Sequence, residues 1–402
     1  FAAGRVIDYL NESGKNKPLS PVAAEIYNAD EYAKSLEYGT AKYKVELLTS
    51  VVSTVVMLSA IILGWFAWLD QQIRDRFDNQ LLITVIFIGV LILVSMIGAL
   101  PSGYYSTFVI EEKFGFNKST KKTYFSDKIK GYIISIVIGG LLLGTLLWLI
   151  HQMGKDFWWQ FWLVSGIFMV VVNMFYTAWF LPLFNKLTPL EEGELKNSIV
   201  RYARSVDFPL DNILVMDGSK RSSHGNAYFS GMGKAKRIVF FDTLLSRLND
   251  DQIEAVLAHE LGHFKKKHIV KHLAFSGIGS LVMFYVLGLL ANTPWFYSEL
   301  GVNPDLANGA QAMALVLFMM VLPYFTFPIR PVMSWLSRKH EFEADAYAAQ
   351  QSAPQHLVSA LVKLYQDNAS TLTPDPLHSA FYDSHPPASI RISRLNSLQG
   401  TQ

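Results

Sequence analysis

Hydrophobic residues are concentrated in six long segments of the chain, separated by polar stretches. Each segment has about the 20 residues that a helix needs to cross the hydrocarbon core of a membrane. Trp and Tyr stand near several of the segment ends, where the lipid–water interface favours them. The pattern predicts six membrane-spanning helices, at residues 45–69, 81–104, 131–150, 158–184, 269–291 and 311–329.

The distribution of Lys and Arg predicts the orientation of these helices, because positively charged loops stay on the cytoplasmic side. Six stand in each of the stretches 1–44 and 105–130, which share one side. On the other side there are two in 70–80, one in 151–157 and none in 292–309. The predicted organisation is a cytoplasmic segment 1–44, four spans in 45–185, a cytoplasmic segment 186–268, two spans in 269–329 and a cytoplasmic segment 330–402.

Composition narrows the possible functions. Only 17% of the 402 residues are charged, against about 25% in soluble proteins. The net charge of +2 gives no field that attracts nucleic acid, so we expect no nucleic-acid partner. The chain has no Cys, so a metal site has to use His, Asp or Glu.

The cytoplasmic segment 186–268 has the pattern of a small α+β domain. It predicts a helix over 187–206, followed by short strands at 212–216, 226–229 and 237–241 that form a small antiparallel sheet. A further helix begins at Asp250, a favourable N-cap, and is expected to continue into the fifth span.

The central motif on that helix is His259-Glu260-Leu261-Gly262-His263. Two His residues four positions apart share one helix face and can bind one Zn²⁺, while the Glu beside them can take a proton from the water that the metal activates. Gly262 lets another backbone pack close to this helix. We therefore predict His259 and His263 as metal ligands and Glu260 as the general base.

A catalytic zinc ion takes three protein ligands, so the motif requires another one elsewhere. Residues 337–345 follow the sixth span and contain three acids and His340. On a helix Glu341 and Asp345 share a face, whereas Glu343 is rotated by roughly 200°. We predict Glu341 as the third ligand and Asp345 as the acceptor for the N–H of a ligand imidazole.

The remaining histidines are weaker candidates. His268 and His272 extend the ligand helix but lie off its metal face, so we interpret them as interfacial or cavity residues. His151 stands in a short loop on the opposite side and is taken as incidental. His340 and His378 are left open.

Together with this motif, five further stretches make the chain similar to the type I CAAX prenyl proteases, integral-membrane zinc endopeptidases. The stretches are 111–117, 182–190, 224–229, 341–346 and 384–387. The resemblance covers most of the chain and implies a ring of seven spanning helices around an internal chamber, beside the α+β domain. It also implies one zinc ion per chain, a lipid bilayer as surroundings, and cleavage of the last three residues from a prenylated C-terminal tetrapeptide.

The resemblance also implies roles for further residues. Glu341 corresponds to the third zinc ligand, in agreement with the helix-face argument. Asn226 and His385 correspond to residues that contact the substrate or its oxyanion, and Arg391 to a structural ion-pair partner. An edge strand near Asn226 can also hold a peptide by backbone pairing.

Two expectations concern what surrounds the chain. Six spans are found where the family has seven, and the first residue is Phe1, so we expect a first helix upstream of residue 1. The end of the chain has no dilysine-type retrieval signal and the non-cytoplasmic loops are short, which favours a bacterial inner membrane; the endoplasmic reticulum is the alternative in a eukaryote. We expect a monomer.

Two other functions are weighed against this one. A metal-ion transporter would need His or acidic residues spread over several spans, and the first four contain almost none beyond Glu46. A membrane quality-control zinc protease shares the His-Glu motif and the Glu block but typically has fewer spans.

Overall fold

The computed structural model describes residues 2–15, 17, 19, 21–206, 208, 212–230, 237–300 and 311–399, and most of them are helical. The helices of the first half are α1 (Ala2–Gly14), α2 (Pro21–Ala24), α3 (Ala29–Ile62), α4 (Trp65–Arg74), α5 (Gln80–Gly98), α6 (Leu100–Tyr105), α7 (Lys121–Met153) and α8 (Phe157–Trp179). A π-helical turn, Ser106–Glu111, continues α6.

Several of the long helices begin at a capping side chain. Asn28, Asn79 and Thr120 each accept a hydrogen bond from the backbone N–H three residues further on, at the starts of α3, α5 and α7. Such caps satisfy donors that the first helical turn leaves unpaired. The sequence therefore determines these helix starts locally.

Six helical stretches of the described residues are long and apolar enough to cross a membrane, which confirms the predicted spans. They are Ala29–Ile62, Leu81–Glu111, Lys121–Met153, Phe157–Trp179, His268–Ala291 and Met313–Gln351. Many of their large apolar side chains are exposed, as lipid-facing surfaces require. The helix expected upstream of residue 1 lies outside the sequence and stays a prediction.

The strands form one sheet, with spatial order β1-β2-β4-β3. They are β1 (Leu187–Pro189), β2 (Asn212–Met216), β3 (Ala227–Ser230) and β4 (Arg237–Phe241). The prediction of a purely antiparallel sheet is wrong, because β2 and β4 are parallel. Successive strands alternate in direction, but β4 rather than β3 lies beside β2, and this exchange makes the central pair parallel.

The helix predicted over 187–206 is shorter in the structure. It is α9 (Glu194–Ser205), which begins after Gly193. The residues before it form β1, which pairs with β2 from Leu187 to Pro189. Sheet pairing thus takes the place of the first helical turns.

The second half of the molecule is again helical. Its helices are α10 (Asp242–Leu245), α11 (Asp250–Lys265), α12 (His268–Ala291), α13 (Pro294–Ser298), α14 (Gln311–Thr326), α15 (Arg330–Gln351), α16 (Pro354–Asp367), α17 (Pro376–Tyr382) and α18 (Ala388–Gln399). A 3₁₀ turn that contains Pro328 connects α14 to α15. The prediction of one continuous helix from 250 into the fifth span is wrong, because Lys267 adopts a left-handed φ of 57° between α11 and α12.

The largest buried cluster of the described residues is built mainly by elements outside the candidate spans. It joins α9, the sheet, α11, α15, α16 and α18 through residues such as Ile199, Phe240, Leu257, Leu261, Ala348, Leu361 and Leu395. These elements therefore form one packed body around α11, and the mutual positions of α11 and α15 are set by this core.

Candidate metal centre and peptidase site

The first two candidate ligands lie on α11, whose start is firmly capped. Asn249, and not the predicted Asp250, is the N-cap: its side chain accepts from Gln252 N, and the Gln252 side chain accepts from Asn249 N. The face of α11 that enters the core fixes the rotation of the helix. On the opposing face the Nε2 atoms of His259 and His263 are 3.2 Å apart.

Glu341 reaches these histidines from α15. The two helices approach closely at Gly262, where a Cβ atom would stand 2.9 Å from Cα of Ala344. This confirms that the glycine admits a neighbouring backbone. Glu341 Oε1 lies 3.2 Å from His263 Nε2, and Oε2 lies 3.5 Å from His259 Nε2.

The three side chains fit a metal ion. One ligand atom from each of His259, His263 and Glu341 can be chosen so that all lie within 4.8 Å of one another. Glu341 is buried, and its Oε2 has no hydrogen-bond partner among the described residues. A buried carboxylate oxygen without a hydrogen bond is costly, and a bound metal ion would be a closer partner for it than Arg391 Nη1, which lies 3.5 Å away. Two imidazoles and one carboxylate are a typical donor set of catalytic zinc.

Asp345 lies behind His259, as predicted. Its Oδ1 is 2.9 Å from His259 Nδ1, which leaves Nε2 free for the metal. Burial lowers the pKa of His259, but the carboxylates of Asp345 and Glu341 outweigh it and raise this pKa to about 9. The two carboxylates therefore favour positive charge at this point.

Arg391 binds Asp345 from α18. Its Nε and Nη2 donate to the two carboxylate oxygens at 2.9 and 2.7 Å, and Nη1 is 3.5 Å from Glu341 Oε2. Burial opposes the charge of Arg391, but Asp345 outweighs it and raises the pKa of the guanidinium. The ion-pair role expected from the family resemblance therefore has a buried, bidentate geometry.

Glu260 stands beside the ligands without joining them. Within the described part of the chain its carboxylate makes no hydrogen bond, and burial raises the pKa of this carboxyl. A carboxylate of raised pKa is a stronger base. The side chain thus has the chemistry that proton transfer requires.

The structure places His385 at the ligands and Asn226 at the sheet. His385 Nε2 lies 3.5 Å from Glu341 Oε1, and its side chain is 62% exposed. Asn226 precedes the edge strand β3, is exposed, and accepts a hydrogen bond from Ala227 N. No contact recorded for the described residues joins Asn226 to the ligands, but β3 packs against α11.

The sequence analysis did not assign His268 and Glu343 to the surroundings of the metal ligands. His268 Nδ1 lies 3.0 Å from His263 Nδ1, and His268 Nε2 lies 3.0 Å from Glu343 Oε2. A continuous helix would rotate His268 by roughly 140° from His263, but the left-handed Lys267 turns it back. Its interpretation as an interfacial or cavity residue is therefore incomplete: His268 is buried behind a candidate ligand.

The other histidines separate into two groups. His340 stacks on the His268 ring with 4.0 Å between centroids, and its Nδ1 is 3.1 Å from His272 Nε2. His378 lies 3.9 Å from Asp8 and 4.0 Å from Asp383, away from the ligand group. The exposed His151 has no hydrogen bond or ion pair with the described residues.

Comparison with known proteins agrees with this arrangement. The model of the family "CAAX prenyl protease N-terminal, five membrane helices" matches residues 9–186, and that of "Peptidase family M48" matches residues 189–399. "CAAX prenyl protease 1" of Saccharomyces cerevisiae is 36% identical over 400 residues, covering 94% of this chain and 88% of its own. The human "CAAX prenyl protease 1 homolog" is 31% identical over 429 residues, with 95% and 88% covered.

A solved structure extends the likeness to three dimensions. The crystal structure of S. mikatae Ste24p matches with a TM-score of 0.92 and 35% identity, covering 98% of this chain and 96% of that one. This confirms the predicted fold class, a polytopic helical membrane protein with an α+β zinc-peptidase domain, and gives the transporter alternative no support. The chain belongs to peptidase family M48, among its membrane-embedded CAAX prenyl proteases.

Proposed function

We propose that the chain holds one zinc ion through His259, His263 and Glu341 and hydrolyses peptide bonds beside it. The observation that carries the proposal is the buried Glu341: its two oxygens face the Nε2 atoms of His259 and His263, and its Oε2 lacks a hydrogen-bond partner among the described residues. All three donors come from one chain, so the site needs no partner subunit, and we propose a monomer.

The chain's own groups divide the chemistry of hydrolysis. When bound, zinc supplies a Lewis acid that polarises the carbonyl and lowers the pKa of water. Glu260 takes the proton of the attacking water and returns it to the leaving amide nitrogen. Asn226 and His385 donate to the carbonyl oxygen as negative charge develops on it.

The groups behind the ligands keep the imidazoles in one tautomer. Asp345 accepts the Nδ1–H of His259 directly. His268 accepts the Nδ1–H of His263 and donates its own Nε2–H to Glu343. We assign His268 and Glu343 as positioning residues, because each ligand then presents Nε2 to the metal.

The proposed substrate is a C-terminal peptide that carries a prenyl lipid. The relatives described above bear the name CAAX prenyl protease 1, which supports this class over the misfolded proteins of a quality-control protease. The edge strand β3, which packs against α11, can pair with an extended peptide beside the ligands.

The decisive experiment compares wild type with Glu260→Gln on a farnesylated C-terminal peptide. We expect turnover to fall by about 10²–10⁴-fold, the usual size of general-base help. Zinc content, measured on the same preparations, should stay at one ion per chain, because Glu260 is not a ligand. Unchanged turnover would contradict the role of Glu260, and lost zinc would contradict the ligand set.

The site is proposed to face the cytoplasm, from the excess of Lys and Arg in 1–44 and 105–130. The relatives named above are eukaryotic, which favours the endoplasmic reticulum over the bacterial membrane. Because the chain has no cysteine, Lys122→Cys can be labelled alone in sealed right-side-out vesicles. Because right-side-out vesicles of the endoplasmic reticulum have their cytoplasmic face outside, we expect a membrane-impermeant maleimide to react while they are sealed; labelling only after the membrane is opened would reverse the orientation.

A further inference from the structure

A cavity opens on the other side of α15 from the metal ligands. Its volume is about 480 Å³, and it lies between the end of α11, α15 and α18. None of His259, His263 and Glu341 lines it. The proposed zinc peptidase reaction therefore does not use this cavity.

The cavity is lined by four cations, Lys266, Arg338, Lys339 and Arg394. None of them forms an ion pair with a carboxylate of the described residues. Arg338 donates to the carbonyl oxygens of Ser379 and Asp383 at 2.6 and 2.9 Å, which holds the side chain in place but leaves its charge uncompensated.

The single acid of the lining does not neutralise these charges. It is Glu343, whose Oε2 lies 3.0 Å from His268 Nε2 and 3.7 Å from Lys271 Nζ. Its charge is therefore directed away from the four cations. A cavity lined by several cations without ion-pair partners is best suited to an anionic ligand.

The level of the cavity relative to the membrane indicates the source of that ligand. On α15 the apolar side chains of Val332 and Trp335 are each 57% exposed, as on a lipid-facing surface. Lys339 follows one turn later, with its Nζ 5.8 Å from the Trp335 ring. This change from apolar to aromatic to cationic along one helix face is typical of the headgroup level.

An aromatic side chain of the lining also holds Arg394 in place. The Arg394 guanidinium lies 4.6 Å from the centroid of the Phe342 ring, which fixes this cation without removing its charge. We propose that the cavity binds the phosphate-bearing headgroup of an anionic phospholipid, with its acyl chains along Val332 and Trp335. Basic pockets beside spanning helices bind such headgroups by the same physics.

The test uses the full-length protein in detergent and short-chain phosphatidylglycerol as the probe. The variant Lys266→Gln, Lys339→Gln, Arg394→Gln removes three of the four charges. The matched control, Lys122→Gln, Arg201→Gln, Lys220→Gln, removes the same number from exposed positions elsewhere. We expect the cavity variant to bind the lipid on the order of tenfold more weakly or worse, and the control to bind as wild type does.

Two further arms identify the ligand. Phosphatidylcholine of equal chain length should bind both variants and wild type equally weakly, and inorganic phosphate should not displace phosphatidylglycerol. Equal loss in both triple variants, or displacement by phosphate at matched concentration, would overturn the proposal. If the triple variant fails to fold, Lys339→Gln alone should still weaken binding measurably; an unchanged affinity there would equally overturn it.

Discussion

Glu341 and Glu343 stand two positions apart on α15 and have different surroundings. Glu341 is buried and faces both imidazole Nε2 atoms, whereas the side chain of Glu343 is 31% exposed and reaches only His268 and Lys271. One carboxylate is therefore placed to bind the metal and the other to support a group behind a ligand. The difference predicts a graded series of variants.

We expect Glu341→Ala to abolish tight zinc binding, because it removes one of three ligands. His268→Leu should weaken zinc binding by about tenfold, the lower end of the effect of groups behind a ligand. Glu343→Ala should lower zinc affinity less than His268→Leu does, since His268 would still contact His263. The measurement is zinc affinity by competition with a chelator, which does not depend on turnover.

His268→Asn is the matched control in this series. Its side-chain oxygen can still accept the Nδ1–H of His263, so affinity should stay closer to wild type than in His268→Leu. Equal losses in the two variants would mean that His268 only fills space. Equal zinc content in Glu341→Ala and Glu343→Ala would contradict the ligand assignment itself.

At the residue scale the sequence predicted what depends on helical spacing within one helix. The shared face of His259 and His263 follows from their spacing of four residues. The shared face of Glu341 and Asp345 follows from the same rule. The position of His268 did not follow, because it depends on the left-handed φ of Lys267. A lysine gives no signal for such a conformation, which usually selects glycine or asparagine.

Among the secondary-structure elements, the crossing of α11 and α15 determines whether the ligands meet. The contact closest to the ligands is Gly262, where an added Cβ would meet Ala344 Cα at 2.9 Å and Tyr347 Cβ at 3.2 Å. Both neighbours are at or next to backbone and cannot rotate away. The helices would have to separate to admit a larger residue.

We therefore expect Gly262→Ala to lower stability by about 1–3 kcal/mol, the usual cost of overpacking, and to weaken zinc binding. The measurements are thermal unfolding and zinc affinity. Gly279→Ala, in α12, is the matched control, because a Cβ added at Gly279 would have no heavy atom within 4 Å. If both variants behaved as wild type, the close crossing would not position the ligands.

Helices and strands that depend on nearby residues of the chain were predicted correctly, whereas those that depend on distant residues were not. The spans follow from long apolar runs and from caps such as Asn79, so they were found. The pairing of β2 with β4 depends on strands distant along the chain, and the start of α9 depends on whether residues 187–189 join the sheet. These outcomes are decided by tertiary contacts, which hydrophobic periodicity does not report.

For the whole molecule, the position of the ligands relative to the membrane determines the accessible substrates. His263 lies five residues before the start of α12, which belongs to a candidate span, and Glu341 lies on the helix that continues the last one. The ligands are thus close to the membrane boundary, and His259 and Glu341 are buried. We infer from this position that a peptide enters in extended form and that folded proteins are excluded.

We expect a peptide with a C-terminal prenyl group to be cut faster than the same peptide without lipid, because the lipid partitions into the bilayer beside the site and raises the local concentration. A folded soluble protein should be cut more slowly than either. The measurement is kcat/KM for the three substrates in reconstituted vesicles. Asn226→Ala should slow turnover on the lipidated peptide while zinc content stays unchanged, since it acts on the substrate. Equal rates with and without lipid, or ready cleavage of the folded protein, would show that access is not restricted, even if the zinc peptidase chemistry holds.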